Sequence, residues 1–374
     1  MADIYEQLAR FLDELPGGFP PSESGVEVRI LRRLFTPEEA AITQHLSLLS
    51  EEAHVIAHRA GLPVDQARDL LEGLDRKRLI YCFPEEGKPR TYMAQQFLVG
   101  FWESQVDRLD RELVEMFEEY LPTYAQSGNW AKMPQLRTIP VREDIPHQGT
   151  VLSYENVTEM IAGHHTFAVA NCICRQEMRI LGHDDGKPLE TCLSFDGGAD
   201  YFVRTERGRY ITREETLALV AEAERSGLVL QPGNSRSAGN ICMCCGCCCG
   251  VLRGAKLLPR PADMIASPFF AVVDEAHCAG CGTCLERCPM DAISLPTGFA
   301  QVDLARCIGC GLCVTTCPSE ALALQRKPDA QQPRVPRNVV ELNIRMAQSR
   351  GKLGPGSMIR MVARSAVDRV IAKE

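Results

Sequence analysis

The chain has 374 residues, 41 Lys and Arg against 49 Asp and Glu for a formal charge of −8, and 18 cysteines. Its apolar (45%) and charged (24%) fractions are those of a globular protein of two or three domains. The opening stretch MADIYEQLARFLDEL lacks the basic and apolar regions of a secretory leader. No window is apolar for long enough to span a membrane. A secreted disulfide framework is therefore excluded in favour of a cytoplasmic chain whose thiols are reduced and mostly metal-bound.

Residues 26–97 read as three helices and a hairpin. Thr36-Pro37-Glu38-Glu39 is a helix start, with Thr as N-cap, Pro at the first helical position and Glu at the third. A second helix is expected from Glu51 to Ala60, ended by Gly61. A third follows Pro63, with Val64, Ala67, Leu70, Leu71 and Leu74 as its apolar face. Strands at Leu79–Phe83 and Arg90–Met93 flank the turn PEEGK. This order resembles a winged-helix domain, which would imply DNA binding. Yet residues 26–100 carry ten basic against eleven acidic side chains, too little net charge to neutralise phosphates. Protein docking is the preferred role, DNA being an unlikely partner, and Cys82 is expected to be a buried structural thiol.

One long helix is predicted over residues 101–121, with Val106, Leu109, Leu113, Met116, Phe117 and Tyr120 as its stripe and Pro122 as its end. The stripe suits packing in its own domain or a homodimer seam. Residues 122–150 read as a Pro-punctuated linker with extended pieces such as RTIPV.

The middle region, 151–260, is cysteine-rich. A buried strand, Phe167–Ala170, runs into Cys172 and Cys174, and Cys192 follows. A strand at Tyr201–Val203, a Gly turn, a second strand and a helix over Arg213–Ser226, capped by Thr212 and Glu215, come next. The chain then returns with Cys242, Cys244, Cys245, Cys247, Cys248 and Cys249. Adjacent cysteines pair with each other only under strain, so metal binding is their natural use. The two groups are expected to converge on one site, with Cys174 and Cys192 joined by two or more of the later run. His164, His165 and His183 read as surface or turn residues. The C-C-G strings at Cys244–Gly246 and Cys248–Gly250 resemble the cysteine-rich domain of heterodisulfide reductase-like proteins, which would imply a catalytic cluster. The long spacings and closing C-x-x-C of that domain are absent.

After the strand FFAVVD, the spacing C-x2-C-x2-C-x3-C-P occurs twice between Cys278 and Cys317. It is the spacing that holds a pair of [4Fe–4S] clusters, with the last Cys of each run crossing to the other cluster. Cys278, Cys281, Cys284 and Cys317 are thus assigned to one cluster, and Cys307, Cys310, Cys313 and Cys288 to the other. Gly280, Gly282, Gly309 and Gly311 let the backbone pass close to the sulfides, and Pro289 and Pro318 block helix continuation. A hairpin over residues 292–302 separates the motifs, and Ala321–Leu324 repeats Ala292–Leu295. The stretch resembles bacterial two-cluster ferredoxins over about a sixth of the chain. With two such clusters downstream, iron–sulfur is expected over zinc at the middle cysteines.

From Arg326 onward eleven Lys and Arg face four Asp and Glu, so the tail is +7 and the remainder −15. Helices are predicted over Asn338–Ser349 and Ser357–Lys373, lying on the chain's own acidic body. The expected fold is α+β and multidomain: a winged-helix-like domain with the long helix (1–121), a linker (122–150), a small α/β cysteine-rich domain (151–260), a two-cluster ferredoxin domain (268–326) and a basic helical tail (333–374). No G-x-G-x-x-G after a strand and no Walker lysine loop is found, so no nucleotide or flavin site is expected. The resemblance implies an anaerobe's iron–sulfur electron carrier working between redox partner proteins rather than a stand-alone enzyme. The alternatives are a reductase with a catalytic middle cluster and a redox-sensing, DNA-binding regulator.

Overall fold

The computed structural model describes residues 3–142, 147–148, 151–352 and 354–372. The chain divides into two compact units: Met1–Asn129 together with Asn343–Glu374, and Trp130–Leu342.

In the first unit, α1 (Ile4–Glu14), α2 (Val26–Leu34) and α3 (Pro37–Thr43) precede β1 (Glu51–Glu52), α4 (Ala53–Ala60), α5 (Val64–Arg76), β2 (Tyr81–Phe83) and β3 (Thr91–Met93). The capping box at α3 closes as its residues dictate, with Glu39 N–H donating to Thr36 and Thr36 N–H donating to Glu39. Gly61 ends α4 at φ 66°, a left-handed position that glycine adopts at least cost. The predicted second helix starts two residues late, because Glu51 and Glu52 pair with Tyr92 and Thr91 in a sheet of order β1-β3-β2.

The predicted long helix is corrected. Residues 97–101 form a wide π-type turn and 103–105 a 3-10 turn, Val99 and Asp107 have positive φ, and α6 runs from Arg111 to Gln126. Asp110 caps it by accepting from Leu113 N–H, a signal that outweighs the apolar spacing upstream. Pro122 lies inside α6, where its ring should break the helix. Tertiary anchors on either side override it: Tyr120 Oη donates to Pro20 O and Tyr124 Oη to Gly17 O. Val106, Leu113, Phe117 and Tyr120 are buried within their own unit, where Phe117 stacks on Trp102 at 4.3 Å between ring centroids. The stripe is thus used internally. Cys82 is buried on β2.

The second unit opens with the short helix α7 (Asn129–Lys132), whose first residue belongs to the first unit, and then the connector. RTIPV is threaded into the unit: Arg137 N–H donates to Pro232 O, Ile139 N–H to Leu230 O and Val141 N–H to Cys310 O. Linker residues 143–146 and 149–150 lie outside the described ones, and β4 (His147–Gln148) lies between them. Then come α8 (Val157–Ala162), β5 (Phe167–Asn171), α9 (Ile173–Ile180), β6 (Glu190–Phe195), α10 (Gly197–Arg204), β7 (Gly208–Ile211), α11 (Arg213–Arg225), β8 (Val229–Pro232), β9 (Asn240–Cys244) and α12 (Gly250–Lys256). The five strands form one antiparallel sheet of order β7-β5-β6-β9-β8.

The strand expected at Tyr201–Val203 is instead part of α10. Its residues 199 and 202 face one way at helical spacing and bury Ala199 and Phe202 against Ala168 and Ala170 of β5. The ferredoxin-like part holds β10 (Phe269–Val273), α13 (Thr283–Arg287), β11 (Ile293–Ser294), β12 (Gln301–Val302), α14 (Leu312–Thr315) and β13 (Leu322–Arg326). β10 pairs antiparallel with β13, and β11 with β12 as the predicted hairpin.

Two tail helices follow, α15 (Val339–Ser349) and α16 (Pro355–Ile371), while Lys373 lies outside the described residues. The tail from residue 343 belongs to the first unit and docks there through ion pairs of both senses. Arg350 reaches Asp13 at 2.6 Å, and Asp368 of α16 meets Arg59 Nε at 2.5 Å. Arg59 also pairs with Glu51, whose other oxygen-bonding partners include Ser365 at 2.6 Å.

Candidate metal centres

The two ferredoxin-type motifs fold alike. Each wraps through left-handed glycines, Gly280 and Gly282 at φ 61° and 81° and Gly309 and Gly311 at 62° and 81°, into one turn of helix, α13 or α14. A side chain at Gly280 would stand 2.3 Å from Gly298 O, and one at Gly309 would stand 2.1 Å from Phe269 O. Glycine is therefore required twice over, by conformation and by space. Cys278, Cys281, Cys284 and Cys317 line one cavity with Leu295 and Ala300. Cys288, Cys307, Cys310 and Cys313 line another with Ala271, Met290 and Ile308.

Backbone N–H groups aim at the sulfurs: Ala300 to Cys278 at 3.4 Å, Ala292 to Cys288 at 3.3 Å and Ala271 to Cys307 at 3.4 Å. Burial pushes the Cys284, Cys288, Cys310 and Cys313 thiols up. Exposed Cys281 is held below its ordinary range by the Thr283 hydroxyl and N–H. Buried thiols of this kind ionise readily only against bound cations, which is what a ligand set for iron requires.

In the middle region the sheet gathers six thiols. Cys192 on β6 and Cys242 on β9 are cross-strand neighbours, and strand alternation puts Cys244 on the same face as Cys242. Cys172 precedes α9, Cys174 lies in its first turn, and Cys249 precedes α12. The thiols touch in sequence, Cys172 to Cys174, Cys174 to Cys249, Cys249 to Cys244, Cys244 to Cys242 and Cys242 to Cys192. Hydrogen bonds along this chain hold Cys172, Cys242 and Cys249 below the ordinary thiol range. The same bonds push Cys174, Cys192 and Cys244 above it. Every second thiol must keep its proton unless a cation shares the space. The donor set is soft and anionic, which fits an iron–sulfur group.

The other three cysteines point elsewhere. Cys245, Cys247 and Cys248 meet Asp185, from the loop between α9 and β6, with all four ligand atoms within 4.8 Å of one another. Asp185 Oδ2 is 3.5 Å from Cys247 Sγ and 3.6 Å from Cys248 Sγ, and the two sulfurs are 3.7 Å apart. Among the described residues this is the one group so tightly drawn together. Burial opposes the Asp185 charge, but bonds from Cys245 and the Lys187 N–H hold its carboxyl down at about 2. Cys245 is pushed down to about 6, chiefly by a hydrogen bond from Cys248.

Arg175, 1% exposed, stands between the two thiol groups. It donates to Pro188 O (2.8 Å), Thr191 Oγ1 (2.5 Å) and Met243 O (3.0 Å), with Nε 3.6 Å from Asp185 Oδ2. Burial works against its charge, but Cys172, Cys245, Cys244 and Asp185 keep it protonated. Arg175 and Asp185 are the residues that sequence reasoning missed. The first follows Cys174 directly and could have been flagged as a counter-charge, whereas Asp185 sits in an ordinary turn, HDDGK, with no signal of its role. The histidines serve the fold or the surface. His164 bonds Asp196 at 2.7 Å and Ala238 O at 3.1 Å, and His165 and His183 are exposed.

No helix among the described residues is long and apolar enough to cross a membrane. Comparison with curated proteins and with solved structures gives no match. Comparison with family models finds a 4Fe-4S dicluster domain at residues 271–324, which suggests iron–sulfur electron transfer by that part of the chain.

Proposed function

We propose that this protein is a ferredoxin-type electron carrier with three iron–sulfur centres, passing single electrons between redox partner proteins. Cys278, Cys281, Cys284 and Cys317 would hold one [4Fe–4S] cluster, and Cys307, Cys310, Cys313 and Cys288 a second. Some or all of Cys172, Cys174, Cys192, Cys242, Cys244 and Cys249 would hold the third. Bound clusters of this class supply one-electron chemistry at potentials set by their surroundings. The chain's own residues do the setting: apolar walls exclude water, and N–H groups of Ala271, Ala292 and Ala300 withdraw charge from the ligand sulfurs.

The observation that carries the reading is that each cavity of the dicluster domain is lined by three cysteines of one motif and the last cysteine of the other. The middle thiols lie close by. A side chain at Gly246, inside the cysteine run, would stand 2.0 Å from Pro289 O, the residue after Cys288. Anaerobic iron and sulfide counting with EPR on the reduced holoprotein tests the proposal. It expects about eight irons from the dicluster domain and more from the middle thiols. Four irons or fewer would refute it.

For the first unit, we favour the winged-helix-like arrangement as a protein-docking module. Its cations are already matched: Arg68 pairs with Asp65, Arg76 and Arg90 with Glu72, Lys77 with Glu39 and Lys88 with Glu85. That leaves little free positive charge for phosphates. A cytoplasmic location follows from the reduced, metal-holding thiols of the same reading.

A further inference from the structure

The side chains of the nine middle cysteines sort into two groups with different spacing. We propose that Asp185, Cys245, Cys247 and Cys248 form a separate mononuclear site for a tetrahedral divalent ion of the zinc class.

The spacing is the first argument. Zinc binds thiolates at about 2.3 Å and carboxylate oxygen at about 2.0–2.2 Å, so tetrahedral ligands stand about 3.5–3.8 Å apart. The sulfur–oxygen separations of 3.5 and 3.6 Å and the sulfur–sulfur separation of 3.7 Å are those of such a shell. Ligands of a four-iron cluster cap different irons, so they do not all converge on one point. Accordingly, the eight dicluster cysteines and the six sheet thiols contain no group of three in which every ligand atom is this close to every other, among the described residues.

The second argument is preorganisation. Asp185 Oδ1 accepts from Lys187 N–H at 3.2 Å, which turns Oδ2 toward the thiols. Arg175 backs the same oxygen and ties its loop to β9 through Pro188 and Met243. Such outer partners orient ligands and tune affinity. Charge agrees as well. Three thiolates and a carboxylate around a divalent ion leave two negative charges, of which the buried Arg175 offsets one.

The donor set selects the ion class, since three sulfurs exclude magnesium and calcium. Cys247 is exposed, which gives an ion a way in. The bound ion would pin the 182–189 loop to the turn at Cys245–Cys248, and this turn carries Gly246 against Pro289. The site does not depend on the electron-transfer reading, because its zinc would be present whether or not the six sheet thiols carry iron.

The test uses the full-length protein, purified without oxygen, with zinc and iron counted by mass spectrometry and the zinc shell read by X-ray absorption. About one zinc per chain is expected, with three sulfurs near 2.3 Å and one oxygen near 2.0 Å. Asp185→Asn and Cys247→Ser should each lower zinc retention about tenfold or more while iron and sulfide stay unchanged. Should Cys247→Ser fail to fold, Asp185→Asn alone decides, with unchanged iron as its folding control. The proposal is overturned if no zinc is retained even after incubation with zinc chloride and desalting. It is equally overturned if the shell is all sulfur, or if either variant loses iron while keeping zinc.

Discussion

Single residues carry much of this protein's chemistry, and two substitutions test how. Cys288 precedes Pro289 in the first motif, yet it lines the cavity of Cys307, Cys310 and Cys313. Cys288→Ala should therefore cost about four of the irons and spare the signal of the cluster beside it in sequence. Loss of the Cys278–Cys284 cluster instead, seen by EPR, would reverse the crossing assignment. Gly309→Ala adds a methyl group 2.1 Å from Phe269 O at φ 62°. Overpacking and the left-handed strain together should cost roughly 2–3 kcal/mol and loosen iron retention. Iron release under mild denaturant measures it. Gly298→Ala is a poor control because its φ is also positive, whereas Gly239, with open space around it, should tolerate alanine.

At the scale of elements, the tail is held by buried charge. Arg59 on α4 is 6% exposed and lies between Glu51, 1% exposed, and Asp368 of α16. Removing one partner of a buried pair leaves the others uncompensated, at a cost of about 3–5 kcal/mol. Arg59→Met should lower the unfolding midpoint accordingly and open α16 to limited proteolysis. The pH dependence has a definite sign. Burial opposes the Glu51 charge, but bonds from Arg59 and Ser365 lower its pKa below the ordinary 4.5. A depressed carboxyl contributes stability in full above that value and loses it as the pH falls through the folded pKa. Urea titrations should show the advantage of wild type over Arg59→Met narrowing below about pH 4.5.

At the scale of the whole molecule, the first unit's charge pairing predicts weak, salt-sensitive DNA affinity. The holoprotein should show no sub-micromolar binding to duplex DNA at physiological salt in a gel-shift or anisotropy titration. Tight, salt-dependent binding would promote the regulator over the carrier. The middle thiols make a second global prediction. Cys242→Ala should remove the iron above the dicluster complement, because Cys242 touches both Cys192 and Cys244 in the linked chain of sulfurs.

What the sequence determined by itself is what depends on neighbours along the chain. Cysteines two residues apart wrap a cluster by local geometry, so the repeated motif reads directly, as do the Thr36 capping box and Gly61. The hairpin between the motifs was legible for the same reason. The tertiary structure decided everything that rests on partners distant in sequence. Tyr120 and Tyr124, bonded to Pro20 and Gly17, carry α6 through Pro122. A face made by Ala168 and Ala170 turns residues 197–204 into helix where Tyr201–Val203 read as strand. Most of all, the cysteine run could be read as metal-binding but not sorted. Strand pairing between residues 192 and 242 sends Cys242 and Cys244 to one side of the sheet, and the turn after β9 sends Cys245, Cys247 and Cys248 toward Asp185. Adjacent residues in an extended chain point in opposite directions, and only the fold decides what waits on each side.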